Sequence, residues 1–165
     1  MESRILANVE PAEVFHYFED LTRIPRESGN EAAVCAYLVD FAKAHNLQYQ
    51  TDDAHNIIMR KPAGKGCEGK PGVILQAHMD MVCEKNAGVQ HDFAKDPISF
   101  TVDGDKVIAK ETTLGADDGI GVALALAVLA DESRAYPPLE VVCTADGERG
   151  MARVGAFVGS LIPGG

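Results

Sequence analysis

A histidine and an aspartate stand two positions apart at the end of an apolar segment. His78 and Asp80 follow residues 73–77, which read as a strand. Alternate residues of an extended chain point to the same side, so these two side chains can lie next to each other. An imidazole is a good zinc ligand when an acceptor fixes its other ring nitrogen. The pair suits a metal site, although a polar strand end facing water is the more common explanation of such a triplet.

Two adjacent aspartates lie between glycines, ahead of another apolar segment. Asp117 and Asp118 are flanked by Gly115 and Gly119. Carboxylates in this position are often ordinary first-turn helix residues, stabilised by the helix dipole and by capping. A glycine-rich turn also allows close approach of the backbone, so it can present a carboxylate rigidly to a metal pair. This turn has neither Gly-x-Gly-x-x-Gly nor Gly-Lys-Ser/Thr spacing, so it does not indicate a phosphate-binding loop.

A third acidic position, Glu148, follows the apolar segment 139–144. Taken alone, it reads as a solvated residue in a turn. Taken with His78 and the two aspartates, it gives one imidazole and several carboxylates at the ends of separate strands or in the loops that follow. Such a set suits zinc, manganese or cobalt. A pair of these ions about 3.5–4 Å apart can activate a bridging water and polarise a scissile carbonyl.

Helices alternate with strands along the chain that must position these residues. Amphipathic spacing predicts helices over 9–23 and 30–46, with Asn30 as the cap of the second. Alternating or apolar segments predict strands at 47–51, 56–60, 72–78, 98–102, 106–109 and 139–144. Continuous apolarity predicts that the strand at 72–78 is buried on both faces and that a helix at 119–130 is buried all round. A last helix is predicted over 151–162.

This alternation predicts the α/β class. We expect a three-layer αβα sandwich, in which a mostly parallel, mixed central sheet carries helices on both faces. Ligands of such sheets gather at the strand ends, which is where the candidate residues stand.

The composition is that of a globular protein, with 46% hydrophobic and 24% charged residues. The formal net charge of -10 argues against nucleic acid and anionic membranes as partners. The N-terminus lacks the basic start and apolar segment of a signal peptide. The longest apolar stretch, 120–130, is far shorter than the ~20 residues that span a bilayer. We therefore expect a cytoplasmic protein.

Other reactive residue types have no catalytic context. The four cysteines are scattered and form no Cys-x-x-Cys pair, which favours buried reduced thiols over disulfides or a zinc knuckle. No Gly-x-Ser-x-Gly elbow supports a serine hydrolase. The remaining histidines read as ordinary core or surface residues; they are His16, His45, His55 and His91.

Three motifs in order make the sequence resemble a known family. They are Leu75-Gln-Ala-His-Met-Asp-Met-Val, His91-Asp-Phe-Ala-Lys-Asp-Pro-Ile and Thr112-Thr-Leu-Gly-Ala-Asp-Asp-Gly-Ile-Gly. Together they resemble the Xaa-His dipeptidases, also called aminoacyl-histidine or cytosol non-specific dipeptidases. These are co-catalytic zinc metallopeptidases related to aminoacylase and carboxypeptidase G. The resemblance covers the chain up to about Met151.

The resemblance implies a role for each candidate residue. His78 would bind one metal ion, Asp80 would orient its imidazole, and Asp117 would bridge both ions. In the family, two consecutive glutamates follow the strand after the buried helix; the first is the general base and the second binds metal. The ungapped alignment puts Glu148 at the metal-ligand position and Gly147 at the general-base position.

The sequence departs from the family at that base position. Glycine has no side chain to accept a proton, and general-base assistance is worth about 10²–10⁴-fold. Asp146 is adjacent but starts from a different backbone position, so the role is not assigned to it. Relatives also have one residue where this chain has 152–154, and they continue to a further metal-binding aspartate, a metal-binding histidine and a second domain. We therefore expect residues 1–165 to be a partial zinc-peptidase-like catalytic domain with an incomplete second metal site and no lid domain.

The resemblance implies metal-dependent hydrolysis of Xaa-His dipeptides by a water that bridges two divalent metals. The alternative is a catalytically inactive fragment or metal-binding remnant, which lacks the general base and the C-terminal ligands. A third interpretation is a module completed by a homodimer partner or a separate complementing chain, since an incomplete sheet leaves an apolar patch that favours association.

Overall fold

The structure, a computed structural model, describes residues 3–149. It contains three helices and six strands in that range, and every helix and strand predicted there is confirmed with boundaries shifted by a few residues. The elements are α1 (Ala12–Thr22), α2 (Ala32–Ala44), β1 (Gln48–Thr51), β2 (Ile57–Lys61), β3 (Val73–His78), β4 (Phe100–Asp103), β5 (Lys106–Ala109), α3 (Ala116–Ala130) and β6 (Leu139–Thr144), followed by a 3-10 turn at Gly147–Arg149. The helix predicted over 151–162 lies outside the described residues.

Four of the strands form one mixed sheet in the order β1-β2-β6-β3. Strands β1 and β2 are antiparallel, as are β2 and β6, whereas β3 and β6 are parallel. The long connection between β3 and β6 contains the separate β4–β5 hairpin and α3, because parallel neighbours need a crossover. The predicted α/β class with a mixed sheet is confirmed.

The core lies on one face of this sheet. Side chains of β2 and β6 that alternate along the strands, such as Ile57 and Val141, share a single buried cluster with residues from all three helices. The intervening residues Ile58 and Val142 point to the opposite face and form a small cluster of their own. Within residues 3–149 the helices therefore pack on one side, which supplies two of the three predicted layers.

Two burial predictions were wrong. Strand β3 is not buried on both faces, since Val73 is 42% and Ile74 57% exposed. It is an edge strand, and no other described strand pairs with its outer side. Helix α3 is not buried all round either, because Leu124 and Val128 are exposed, whereas α1 and β3 pack against other parts of the helix. Hydrophobicity along a segment records how apolar it is, but not which neighbours cover it.

The predicted Asn30 cap was also wrong. Helix α2 begins at Ala32, and Glu31 holds the capping position without a side-chain capping bond. Its carboxylate instead accepts hydrogen bonds from the backbone N–H groups of Gly29 and Asp146.

No helix among the described residues is long and apolar enough to cross a bilayer.

A buried lysine ties β2 to the end of α3. Lys61 is 4% exposed, and its ammonium donates to the carbonyl oxygens of Leu129 and Asp131 at 2.8 and 3.0 Å. The same group pairs with Glu132 and lies 4.0 Å from the centre of the Tyr136 ring. Because the last carbonyls of a helix have no partner within the helix, Lys61 satisfies groups that α3 leaves open.

We predict that Lys61→Met lowers the free energy of unfolding by about 1–3 kcal/mol, since the helix-end carbonyls lose their buried donor. Urea unfolding followed by circular dichroism measures the change. Lys106→Met, at an exposed position in β5, is the matched control and should change stability by less than about 0.5 kcal/mol. Equal effects of the two substitutions would contradict a capping role for Lys61.

Candidate metal centre

The parallel pairing of β3 with β6 brings the candidate residues together. His78 ends β3 opposite Thr144, the last residue of β6, so the turn after β6 lies beside the histidine. The first turn of α3 carries Asp117, which also lies beside the histidine. His78 Nε2 is 3.1 Å from Asp117 Oδ1 and 3.8 Å from Glu148 Oε1. One ligand atom from each of these three side chains lies within 4.8 Å of the others.

Asp80 lies against the other side of the imidazole. Its side chain is fully buried, and its Oδ1 lies 3.2 Å from His78 Nδ1. His78 Nδ1 is also 3.1 Å from the Asp80 carbonyl oxygen. With Nδ1 held by these acceptors, Nε2 is directed towards Asp117 and Glu148. This is the arrangement that a metal-binding histidine needs.

The Asp80 carboxylate is itself held by three further donors. The Ser28 hydroxyl donates to Oδ2 at 2.6 Å. The backbone N–H groups of Gly147 and Glu148 donate to Oδ1 and Oδ2 at 2.8 and 3.2 Å. Asp80 therefore links β3, the loop after α1 and the turn that carries Glu148.

The charges around His78 change the pKa values at the site. Burial alone would lower the His78 pKa, but the hydrogen bond to Asp117 and the negative charges of Asp80, Asp118 and Glu148 outweigh it and raise the pKa. Burial likewise pushes the Asp80 pKa up, yet the Ser28 hydrogen bond, the two backbone N–H groups and His78 bring it below its ordinary value. The site thus concentrates negative charge around one imidazole, which favours any bound cation.

Gly147, predicted at the general-base position, packs directly against the histidine. A Cβ built at Gly147 would lie 2.5 Å from His78 Cβ and 2.6 Å from His78 Cγ. Real Cβ atoms do not approach other atoms that closely. In this conformation the position therefore requires glycine, because the imidazole fills the space that a side chain would use.

The remaining predicted positions have other partners. Asp118 Oδ2 accepts the backbone N–H of His78 at 3.3 Å, so this carboxylate faces the strand end rather than the ligand cluster. His16 contacts Arg4 and Asp20 at the protein surface. His45 packs on Phe41, and His91 on Phe93.

The sequence patterns give the loop between α1 and α2 no role at the site. In the structure, Arg26, Ser28 and Glu31 are all buried in it. Ser28 holds Asp80, and Glu31 binds the backbone N–H of Asp146 beside the Glu148 turn. Their partners lie 52 and 115 residues away in sequence. No local periodicity indicates such contacts; the only available signal is the presence of charged residues among turn formers.

The donor set fits a divalent cation. One imidazole nitrogen and two carboxylate oxygens are the ligands that zinc accepts in catalytic sites, where three protein ligands leave a further position open. Carboxylate-rich sets also suit manganese. The Asp117 side chain is 86% exposed, so the cluster is open to small molecules from solvent.

We predict that Asp80→Asn lowers the free energy of unfolding by about 2–4 kcal/mol at neutral pH, because a buried acceptor of several hydrogen bonds loses its charge. The folded-state pKa of Asp80 is lowered, so its stabilising contribution is present above the unfolded value of about 3.9 and is lost as the pH falls through the folded value. The difference between the wild type and the variant should therefore shrink below about pH 4.

Urea unfolding at a series of pH values measures this difference. Asp103→Asn, at an exposed position in β4, is the control and should stay within about 0.5 kcal/mol of the wild type throughout. A difference between the wild type and Asp80→Asn that does not change with pH would show that the carboxylate charge is not what stabilises the site.

Comparison with known proteins shows that this chain is similar to peptidases. The chain is 46% identical over 152 residues to the cytosol non-specific dipeptidase of Escherichia coli (strain K12), a match that covers 92% of this chain and 31% of that protein. It thus corresponds to an N-terminal portion and spans about a third of the relative's length. No protein-family model matches the chain.

Solved structures agree. The crystal structure of aminoacylhistidine dipeptidase from Vibrio alginolyticus matches with a TM-score of 0.86 and 44% identity, over 91% of this chain and 30% of that one. A tripeptidase from Staphylococcus aureus subsp. aureus mu50 matches with a TM-score of 0.67 and 24% identity, over 84% of this chain and 37% of that one, which supports the fold alone. The resemblance to the Xaa-His dipeptidases that the motifs predict is confirmed.

Proposed function

We propose that this chain carries part of the catalytic centre of a metal-dependent dipeptidase. His78, Asp117 and Glu148 would hold one divalent cation, with zinc the best fit and manganese or cobalt as alternatives. The observation that carries the proposal is the convergence of these three side chains from three separate segments, with Asp80 fixing the far nitrogen of the imidazole. Chance surface carboxylates lack such a buried support.

The chemistry follows from the residues that surround the cation position. When bound, a divalent cation supplies Lewis-acid catalysis, which polarises a peptide carbonyl and acidifies water. The Nδ1–H of His78 would donate to Asp80, which leaves the lone pair of Nε2 available to a cation. Asp117 and Glu148 contribute negative charge on the solvent side of the site. The site is open to solvent beside Asp117, so a dipeptide could reach it.

The substrate class is proposed from the relatives. One is named a cytosol non-specific dipeptidase and another an aminoacylhistidine dipeptidase. Both names support a dipeptide substrate, with Xaa-His dipeptides as the first choice for assay. The first name also supports a cytoplasmic location. Residues 3–149 offer one three-residue ligand cluster, so a second cation and its bridging water would need ligands from outside this range.

The domain organisation is part of the same proposal. These residues would form one part of a catalytic domain, and a lid or substrate domain would have to be contributed from elsewhere. The exposed apolar side chains of β3 and α3 are the surfaces that a homodimer partner or a complementing chain would cover.

A catalytically silent metal-binding protein is the second candidate. It is favoured by Gly147, where the family's general-base glutamate is replaced and the side-chain space is filled by His78. Loss of a general base costs about 10²–10⁴-fold in rate, so metal binding and turnover can separate in this chain.

We predict that the 165-residue chain binds zinc and that His78→Ala and Glu148→Gln weaken binding by more than the roughly 10–100-fold typical of losing an outer partner. Calorimetric titration with Zn²⁺ measures the affinity, and hydrolysis of Xaa-His dipeptides is followed with the same samples. His16→Ala is the control, because His16 lies at the surface among other partners.

The outcomes separate the two candidates. Turnover that chelator and His78→Ala both abolish supports the dipeptidase. Zinc binding without turnover supports the silent metal-binding protein if turnover stays absent when a complementing chain supplies the remaining parts of the catalytic domain. Absence of zinc binding by the wild-type chain would contradict both.

We predict that Gly147→Glu does not raise hydrolysis and weakens zinc binding by about tenfold, because its Cβ displaces the His78 imidazole. Gly147→Ala should act in the same direction, since the Cβ itself causes the overlap. Gly69→Glu and Gly69→Ala are matched controls, because a Cβ at Gly69 meets no atom within 4 Å. Increased hydrolysis by Gly147→Glu would instead show that the turn adapts and that the position can carry a general base.

A further inference from the structure

Arg26 is a charged side chain that is almost completely buried beside the candidate metal centre. It is 1% exposed and is one of the largest side chains in the core. It lies in the loop between α1 and α2. Neither the motifs nor the ligand cluster gives this residue a role.

Its guanidinium joins the two backbone segments that carry ligands. Nη1 donates to the carbonyl oxygen of Met79 at 3.1 Å, one residue after His78. Nη2 donates to the carbonyl oxygen of Gly115 at 2.6 Å, two residues before Asp117. The backbone of Arg26 adds a further link, since its carbonyl oxygen accepts the N–H of Met81 at 3.0 Å.

Two glycines make room for this side chain. A Cβ built at Gly115 would lie 2.5 Å from Arg26 Nη2, and one built at Gly119 would lie 2.7 Å from the same atom. Gly115 also has a φ of 76°, a conformation that favours glycine in any case. Glycine at these two positions therefore leaves room for the guanidinium, and at Gly115 it also permits the backbone conformation of the turn.

The guanidinium keeps its charge despite this burial. Desolvation lowers its pKa to about 10, opposed by the nearby carboxylates of Asp80 and Asp118. It is therefore protonated at neutral pH. Removing a cation from water is costly, and an apolar side chain of similar volume often fills a core at no loss of stability. The forked guanidinium donates to two carbonyl oxygens at once, which an apolar residue cannot do.

We propose that Arg26 is a positioning residue, which clamps the Met79 and Gly115 backbone so that His78 and Asp117 stay within reach of one cation. This inference rests on the metal site of the proposed function. Arg26 itself touches neither the ligand atoms nor the cation position; it sets the separation of the segments that carry them. Lysine retains the charge but offers a single nitrogen, so it cannot reproduce the two-pronged contact.

The test compares Arg26→Lys and Arg26→Met with Arg60→Lys and Arg60→Met in the 165-residue chain. Arg60 pairs with Glu140 on the sheet and provides the matched control for loss of an arginine. Calorimetric titration with Zn²⁺ and with Co²⁺ gives the affinity, and the visible spectrum of bound Co²⁺ reports the coordination geometry. All measurements are made well below the unfolding temperature of each variant.

We expect both Arg26 variants to bind Zn²⁺ and Co²⁺ at least about tenfold more weakly and to alter the Co²⁺ spectrum, because displaced outer contacts of metal sites have effects of this size. Both Arg60 variants should stay within about twofold of the wild type. Arg26→Lys provides the decisive measurement if Arg26→Met does not fold. A folded Arg26→Lys or Arg26→Met variant with wild-type affinity and spectrum would overturn the proposal.

Amide hydrogen exchange in the presence of chelator makes the test independent of the metal. If the clamp is correct, Arg26→Lys speeds exchange at both 79–81 and 115–119 while exchange in β2 is unchanged. Unchanged exchange at both ligand segments would overturn the clamp even if the metal site is real. A wild-type chain that binds no metal would contradict the proposed function, whereas faster exchange at both segments would still support the clamp.

Discussion

The buried carboxylate of Asp80 is the interaction on which the rest of the site depends. Its oxygens accept hydrogen bonds from the His78 imidazole, the Ser28 hydroxyl and the backbone N–H groups of Gly147 and Glu148. A buried negative charge is tolerated only when hydrogen bonds satisfy its lone pairs. The carboxylate therefore needs each of these donors in place. Because the donors come from three separate segments, this one group sets the relative placement of β3, the loop after α1 and the turn after β6.

Much of the candidate site could be predicted from sequence, because its residues lie at strand ends, in the turns after strands or at the start of a helix. His78, Asp117 and Glu148 each follow or precede an apolar segment, and the pairing of β3 with β6 puts two of those ends side by side. The proximity of Asp80 to His78 also follows from local spacing, since alternate residues of an extended chain point to the same side. The helices and strands could also be predicted from the sequence, because their periodicity is set by local backbone geometry.

The rest could not be predicted, because it depends on neighbours that are distant in the chain. The edge position of β3 and the exposed side of α3 reflect which elements pack on them, and the apolar pattern of a segment does not record this. The burial of Arg26 depends on contacts with Met79, 53 positions away. The clash that a side chain at Gly147 would cause is with His78, 69 positions away. The resemblance implies that Gly147 stands where the family has a general base. In the structure, Gly147 packs against the His78 imidazole.

The distance along the chain between Asp80 and its donors has a consequence for how the protein folds. Gly147 lies 67 residues from Asp80, and the strands that bring them together are parallel and joined by a long crossover. Contacts of such high sequence separation form late, after the entropy of closing the intervening loop has been overcome. A cation at this site would therefore find its ligands assembled only in the native state. It would act mainly by slowing unfolding, not by nucleating the fold.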